Sequence, residues 1–382
     1  MSDKDFIAET RYRIAAEQGN AEAQFNYACM CEDGNGAVQD YTEAALWYNK
    51  AAKQGHTRAQ LALGYLYEQG NGVQQDDSNA VYWYQKAAER GHADAQYSLG
   101  VMFAFGQGID ADDSKALGWC QKAAEQNHVE AQYTLGMMFA TGEGIEQDEE
   151  EAIKWYRLAA QQGSADAQFN LGVMYAFGQG VERDAVQAAK WCRMAAEQGH
   201  VDAQHNLGFM YAKGEGVEVD LFAAVDWYKL AAEQGDIDAQ YNLGSMYING
   251  KDIPQDYNEA RHWWTLAAEQ GNAAAQYNLG VLYVFGYGVV KDDAEAVKWW
   301  NKAVEQGYTD AQYNLGGMYA LGRGVPKDHI KAYIWLSLPA DKGHEDARKA
   351  LESLENKMSP AQIEEAQRDA EKVCQRLEKN IG

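Results

Sequence analysis

The chain has 382 residues with 33 basic and 57 acidic side chains, a formal charge of −24. That balance excludes nucleic acid as the main partner, since phosphates need a cationic face, and it opposes docking on an anionic membrane. Hydrophobic residues make up 46% and aromatic residues 12%, ample surface to bury, which excludes a disordered chain. No apolar run approaches the roughly 18 residues of a membrane-spanning helix. Residues Met1 to Phe6 show no apolar core of a secretory signal. The cysteines, Cys29, Cys31, Cys120, Cys192 and Cys374, form no CxxC pair, which fits a reducing compartment. A cytoplasmic location is therefore expected.

In chain order, residues 1–19 read as a half-repeat cap. Residues 4–18 form a lone second helix, with Ala8 and Ala15-Ala16 at the expected places and Arg11 where a Trp would stand. From residue 20 to 343 the chain repeats itself. Ala-Gln recurs from Ala23-Gln24 to Ala311-Gln312 at a constant step of 36 residues. Trp47 to Trp335 and Asp40 to Asp328 keep the same step, with no insertion. A degenerate copy, Ala347-Arg348, opens a final first helix over 344–358. Residues 359–382 read as a capping helix. Ser359, Pro360 and Gln362 set its N-terminus, and Ile363, Ala366, Ala370, Val373 and Leu377 make one apolar stripe. The expectation is a single array with no linker.

One unit, Ala275 to Gly307, shows the design. Ala275, Leu279 and Tyr283 form the core stripe of a first helix. Gly280 inside that helix costs about 1 kcal/mol against Ala, so close approach of the partner helix is expected there. Gly286-Tyr287-Gly288 stops the helix. Asp292 is placed to cap the second helix, with Glu295 completing a capping box. Ala296, Trp299 and Ala303 form the second core stripe. Each helical hairpin is too small to bury both stripes alone, so neighbours stack into an all-α solenoid. With helices packed about 8–10 Å apart, nine hairpins predict a curved rod on the order of 90 Å long. Asp252 stands where the other loops carry glycine, which predicts that Asp252→Gly is neutral or stabilising.

The pattern Ala167-Gln168, Leu171-Gly172, Tyr175, Gly178-Gln179-Gly180-Val181, Asp184, Ala188, Trp191, Ala195-Ala196, Gly199 resembles the Sel-one-like repeat (SLR), a relative of the tetratricopeptide repeat. The resemblance covers residues 4 to about 356. It implies a right-handed superhelix of antiparallel helix pairs that serves as a protein-interaction scaffold, in most cases without catalysis. Some members carry a disulfide in every repeat, and this sequence departs from them.

Several residue sets invite chemistry and fail on spacing. Gly-x-Gly turns such as Gly106-Gln107-Gly108 lack the strand and third glycine of a dinucleotide fingerprint. His56, His92, His128, His200 and His344 share one repeat position, so neighbours lie about 10 Å apart, too far to converge on a metal. Their expected role is capping or loop contact. Cys120 and Cys192 lie two repeats apart, about 20 Å, beyond disulfide reach. The Trp series reads as core, with Trp264 and Trp300 following it by one residue. No serine, histidine and carboxylate recur as a triad, so a cell-envelope hydrolase is disfavoured. No cofactor or metal is called for.

One constellation survives as a candidate site. The first helices carry a second stripe, read as Ser98/Val101/Phe105, Asn170/Val173/Phe177 and Asn278/Val281/Phe285. Its first position holds Asn170, Asn206, Asn242, Asn278 and Asn314 in succession. Tyr97, Tyr241 and Tyr277 lie one residue before it. In tetratricopeptide arrays the matching face lines the inner groove, where a carboxamide can donate to and accept from peptide backbone. The same asparagines could instead bond only to the neighbouring repeat, and both readings stand on the sequence. Asp94, Glu130, Asp166, Asp202, Asp238 and Asp310 near the groove edge favour a basic or neutral partner. The expected function is a non-enzymatic adaptor, a monomer, holding a segment of another protein in its groove. A secreted or periplasmic effector would share the groove but need an export signal.

Overall fold

The computed structural model describes residues 3–35, 37–250 and 253–381; Asp252 and the side chain of Ala8 lie outside the described residues. Among these residues there are 21 α-helices and no strand. The contacts divide the chain into two compact units, Met1–Gln198 and Gly199–Gly382. The first holds the lone helix Asp3–Glu17 and five helix pairs, from Ala21–Asp33 with Tyr41–Lys53 to Ala165–Phe177 with Ala185–Glu197. The second holds four pairs, from Val201–Lys213 with Leu221–Glu233 to Thr309–Leu321 with His329–Asp341. It continues into Glu345–Glu355 and Pro360–Ile381. Within each unit the fold is an α/α solenoid of repeated helix pairs.

Small residues at the helix contacts bring the pairs together. Ala275, Leu279, Ala296 and Ala303 are fully buried, as their spacing predicts. Tyr283 and Trp299 are only half-buried. The core place expected for Trp299 belongs to Trp300, one residue later. The residue after the Trp is buried along the chain, at Tyr84, Cys120, Tyr156, Cys192, Tyr228, Trp264 and Leu336, and Trp47, Trp83, Trp263 and Trp335 are buried as their series predicts. Each of the residues after the Trp faces the glycine inside the first helix of its own repeat. A methyl group at Gly136 would lie 2.5 Å from Tyr156 Cδ1, and one at Gly100 would lie 2.7 Å from Cys120 Sγ. The glycine is thus the socket for the side chain after the Trp. Replacing hydrogen there would overpack the core, at about 1–3 kcal/mol.

Loops close by a repeated set of bonds. Gly286 is left-handed at φ 76° and its N–H donates to the Leu282 carbonyl at 2.8 Å. Asp292 Oδ1 accepts from the N–H groups of Ala294 and Glu295 at 2.9 and 3.0 Å. The reciprocal half of the expected capping box is absent, because the Asp292 N–H already donates to the Tyr283 carbonyl. Glu295 instead accepts from Lys298, while Glu43 and Glu259 accept from the indoles of Trp47 and Trp263. At the C-terminal end the box does form. Gln362 Oε1 accepts from the Ser359 N–H at 2.9 Å, and the Gln362 N–H donates to Ser359 Oγ at 3.3 Å. The last helix buries Ala366, Ala370 and Leu377 as expected.

The glutamine of each Ala-Gln pair is buried. Gln96 Nε2 donates to the Ala88 carbonyl of the preceding repeat, and its Oε1 accepts from Gln126 at the end of its own second helix. The arrangement recurs at Gln24, Gln132 and Gln168 in the first unit and at Gln240 and Gln276 in the second. One carboxamide thereby ties three helices and satisfies a helix-end carbonyl that has no partner within its own helix.

Candidate partner-binding surface

The asparagine stripe lies on the first helices, one residue before the buried leucine. The leucine faces inward, so the asparagine, about 100° earlier on the helix, is half-buried. Asn170 lies in the first unit, and Asn206, Asn242, Asn278 and Asn314 lie in the second. Their surroundings differ. Asn170 is in hydrogen-bonding reach of the hydroxyls of Tyr133 and Tyr156. Asn314 Nδ2 donates to Tyr277 Oη at 3.4 Å. At these two positions the stripe is engaged with the preceding repeat. The carboxamides of Asn206, Asn242 and Asn278 make no hydrogen bond with any described residue.

The aromatic residues before the asparagines knit repeats together. Tyr97 packs on His128 with ring centroids 4.9 Å apart, and Tyr277 packs on Tyr308 at 5.2 Å. His128 and Tyr308 are the residues that precede the next first helix. Tyr241 is half-buried against the Trp264 cluster, and its carbonyl accepts from the Trp264 indole at 3.1 Å. These three rings are thus only partly available to a ligand. Their phenols are shielded, and burial pushes the Tyr277 hydroxyl above its ordinary pKa.

The phenylalanines are exposed. Phe105, Phe177 and Phe285 are 74%, 75% and 62% exposed. Each is the last residue of a first helix, directly before the left-handed glycine. Leu321, the same position in the next repeat, is 69% exposed. It belongs with them, and the repeat register alone identifies it. Phe285 stacks on Tyr287, and Tyr287 stacks on Tyr257, with centroids 5.5 and 5.0 Å apart.

The histidines cap helices. Nδ1 of His56, His128 and His344 accepts from the backbone N–H three residues on, at 3.1–3.2 Å. Nε2 of His56 faces Glu22 of the preceding repeat at 2.9 Å, and that bond lowers the Glu22 pKa. His92 lacks the cap bond. No group of three His, Cys, Asp or Glu among the described residues could hold a metal. Burial pushes the thiols of Cys120 and Cys192 up to about 11, so neither is a ready nucleophile. No helix of the described residues is long and apolar enough to cross a membrane.

The Sel1 repeat family model matches nine consecutive segments, from 21–56 to 309–344, without a gap. The chain belongs to the Sel1 repeat family. Two solved Sel1 structures are similar to it. One is c5321, a protective antigen of uropathogenic Escherichia coli strains with an SLR fold. It is 30% identical over 98% of this chain and 96% of its own, with a TM-score of 0.58. The other is a Sel1 repeat protein from Oxalobacter formigenes, 37% identical over 81% of this chain and 89% of its own, with a TM-score of 0.62. No curated protein matches the chain. The Sel1 repeat is a scaffold typical of protein–protein interaction.

Proposed function

We propose that this Sel1 repeat protein is a non-enzymatic scaffold that holds an extended segment of another protein along the first-helix stripe of its second unit. One observation carries the reading: Asn206, Asn242 and Asn278 recur at a 36-residue step with half-buried carboxamides that bond to no described residue. A carboxamide both donates and accepts, which is what a passing peptide unit requires. Phe285 supplies an exposed apolar contact at the end of the stripe, and Asp202, Asp238 and Asp310 at the starts of the helices favour a basic or neutral segment. The test is the double change Asn242→Ala with Asn278→Ala, measured for partner binding and for unfolding. Each lost neutral hydrogen bond is worth about 0.5–1.5 kcal/mol, so affinity falls several-fold per residue. Melting temperature stays within about 2 °C, because no internal bond is removed. Unchanged affinity with a lowered melting temperature reverses the conclusion.

A second reading, an effector or envelope protein acting outside the cytoplasm, is favoured by the likeness to c5321, a protective antigen. Fractionation of cells producing the native chain distinguishes the two locations.

A further inference from the structure

A depression of about 480 Å³ opens in the second unit between Thr309–Leu321 and Glu345–Glu355. Its floor is apolar, formed by Trp300, Met318, Leu336 and Leu354, all buried. It exists because Gly317 occupies the stripe position that holds Val101, Val173, Phe209 and Val281 in other repeats. A methyl group at Gly317 would meet no atom within 4 Å.

The charge of this depression runs against the chain. Its basic lining is Arg323, Lys327, His329 and Lys357, with no Asp or Glu, in a sequence where acids outnumber bases 57 to 33. Arg323 is already neutralised: its Nε and Nη2 donate to the two oxygens of Asp293 at 2.9 and 2.8 Å. Lys327 and Lys357 have no ion-pair partner among the described residues. Two exposed, uncompensated ammonium groups therefore border an apolar floor.

We propose that this depression binds an acidic residue of a partner peptide, its carboxylate beside Lys327 and Lys357 and an adjacent large apolar side chain on the floor. The floor excludes a bare inorganic anion as the fitting ligand, because such an ion gains nothing from apolar contact. The exposed lysines favour an acidic peptide over a purely apolar one, which leaves their charge unused. The net negative charge elsewhere repels acidic segments, so this site confers position as well as affinity. The proposal rests on the scaffold reading and gives the bound segment a direction, with its acidic anchor at the Gly317 end of the stripe.

The test uses the full-length protein and fluorescence anisotropy of a labelled, C-terminally amidated octapeptide. It carries one Glu between two Leu in a Ser/Gly background, and its Glu→Gln and Glu→Lys twins are measured beside it. The Glu peptide binds about three-fold tighter than the Gln twin, the gain expected of a pair with solvent-exposed lysines. Gly317→Leu fills the depression and abolishes binding, while its undiminished melting temperature shows that it folds. Lys327→Glu with Lys357→Glu inverts the preference toward the Lys twin. Equal affinity for the Glu and Gln peptides, absence of binding to the unaltered protein, or retained binding by Gly317→Leu overturns the proposal. Asn242→Ala with Asn278→Ala keeps the Glu preference whether or not overall affinity falls. A preference lost in that variant overturns the assignment to the depression, whereas unaltered affinity counts only against the asparagine row.

Discussion

Gln126 donates its carboxamide N–H to the buried Oε1 of Gln96 at 2.7 Å, and Gln96 donates in turn to the Ala88 carbonyl at 3.1 Å. A single side chain joins a repeat's two helices to the helix before it. Two repeats lack the donor at the end of the second helix. Arg90 and Lys342 stand in the place of Gln126, and in those repeats the buried Oε1 of Gln60 and of Gln312 has no partner among the described residues.

Arg90→Gln and Lys342→Gln should therefore stabilise the protein by about 0.5–1.5 kcal/mol each, the net worth of one neutral hydrogen bond. Gln126→Ala, which orphans a buried acceptor, should cost about 1–3 kcal/mol. Urea unfolding of the three variants measures both signs. A destabilised Arg90→Gln would show that the arginine has a separate bonding role.

Helix glycines of two kinds should respond in opposite directions. Gly136 receives the ring of Tyr156, so Gly136→Ala should destabilise by about 1–3 kcal/mol through overpacking. Gly118 meets nothing within 4 Å, and Gly118→Ala should stabilise by about 1 kcal/mol through helix propensity. Thermal melts of the pair decide it, and a matching shift in both would refute the socket account.

The second glycine of the loop faces a stricter limit. A methyl group at Gly108, φ 67°, would lie 2.5 Å from the Asp77 carbonyl oxygen of the preceding repeat. Backbone strain and this clash act together, so Gly108→Ala should cost more than about 1 kcal/mol. Unfolding that begins in the first unit, followed by hydrogen exchange, is the expected signature; a neutral change would contradict the contact.

Alkali should also weaken the fold. Burial raises the Tyr228 hydroxyl from its ordinary 10.0 to about 12. The folded state holds this proton more tightly than the unfolded state does. The resulting stability is complete below pH 10 and is lost as pH rises toward 12. Melting temperature should fall over that window, and Tyr228→Phe should flatten the decline. An equal slope in the variant would assign it to other groups.

The repeat length, the helix pairs and the helix caps were legible in the sequence because they depend on local chemistry. Asp292 caps its helix whatever it packs against, and glycine takes φ > 0 wherever the chain turns. The candidate stripe was legible as positions, since a 36-residue step puts Asn206, Asn242 and Asn278 on equivalent faces. Which residue fills the core was less so. Trp299 and Trp300 are neighbours of the same type, and only the opposing Gly280 selects Trp300.

Bonding partners also required the tertiary structure. Asn170 and Asn278 look identical in the sequence, yet one lies beside two tyrosine hydroxyls and the other bonds to no described residue; one of those hydroxyls is lost because position 156 is Tyr and position 264 is Trp. The sequence by itself determined the local geometry of every repeat. The tertiary structure decided which polar groups are occupied and which are open, because satisfaction of a hydrogen bond depends on side chains that arrive from a neighbouring helix.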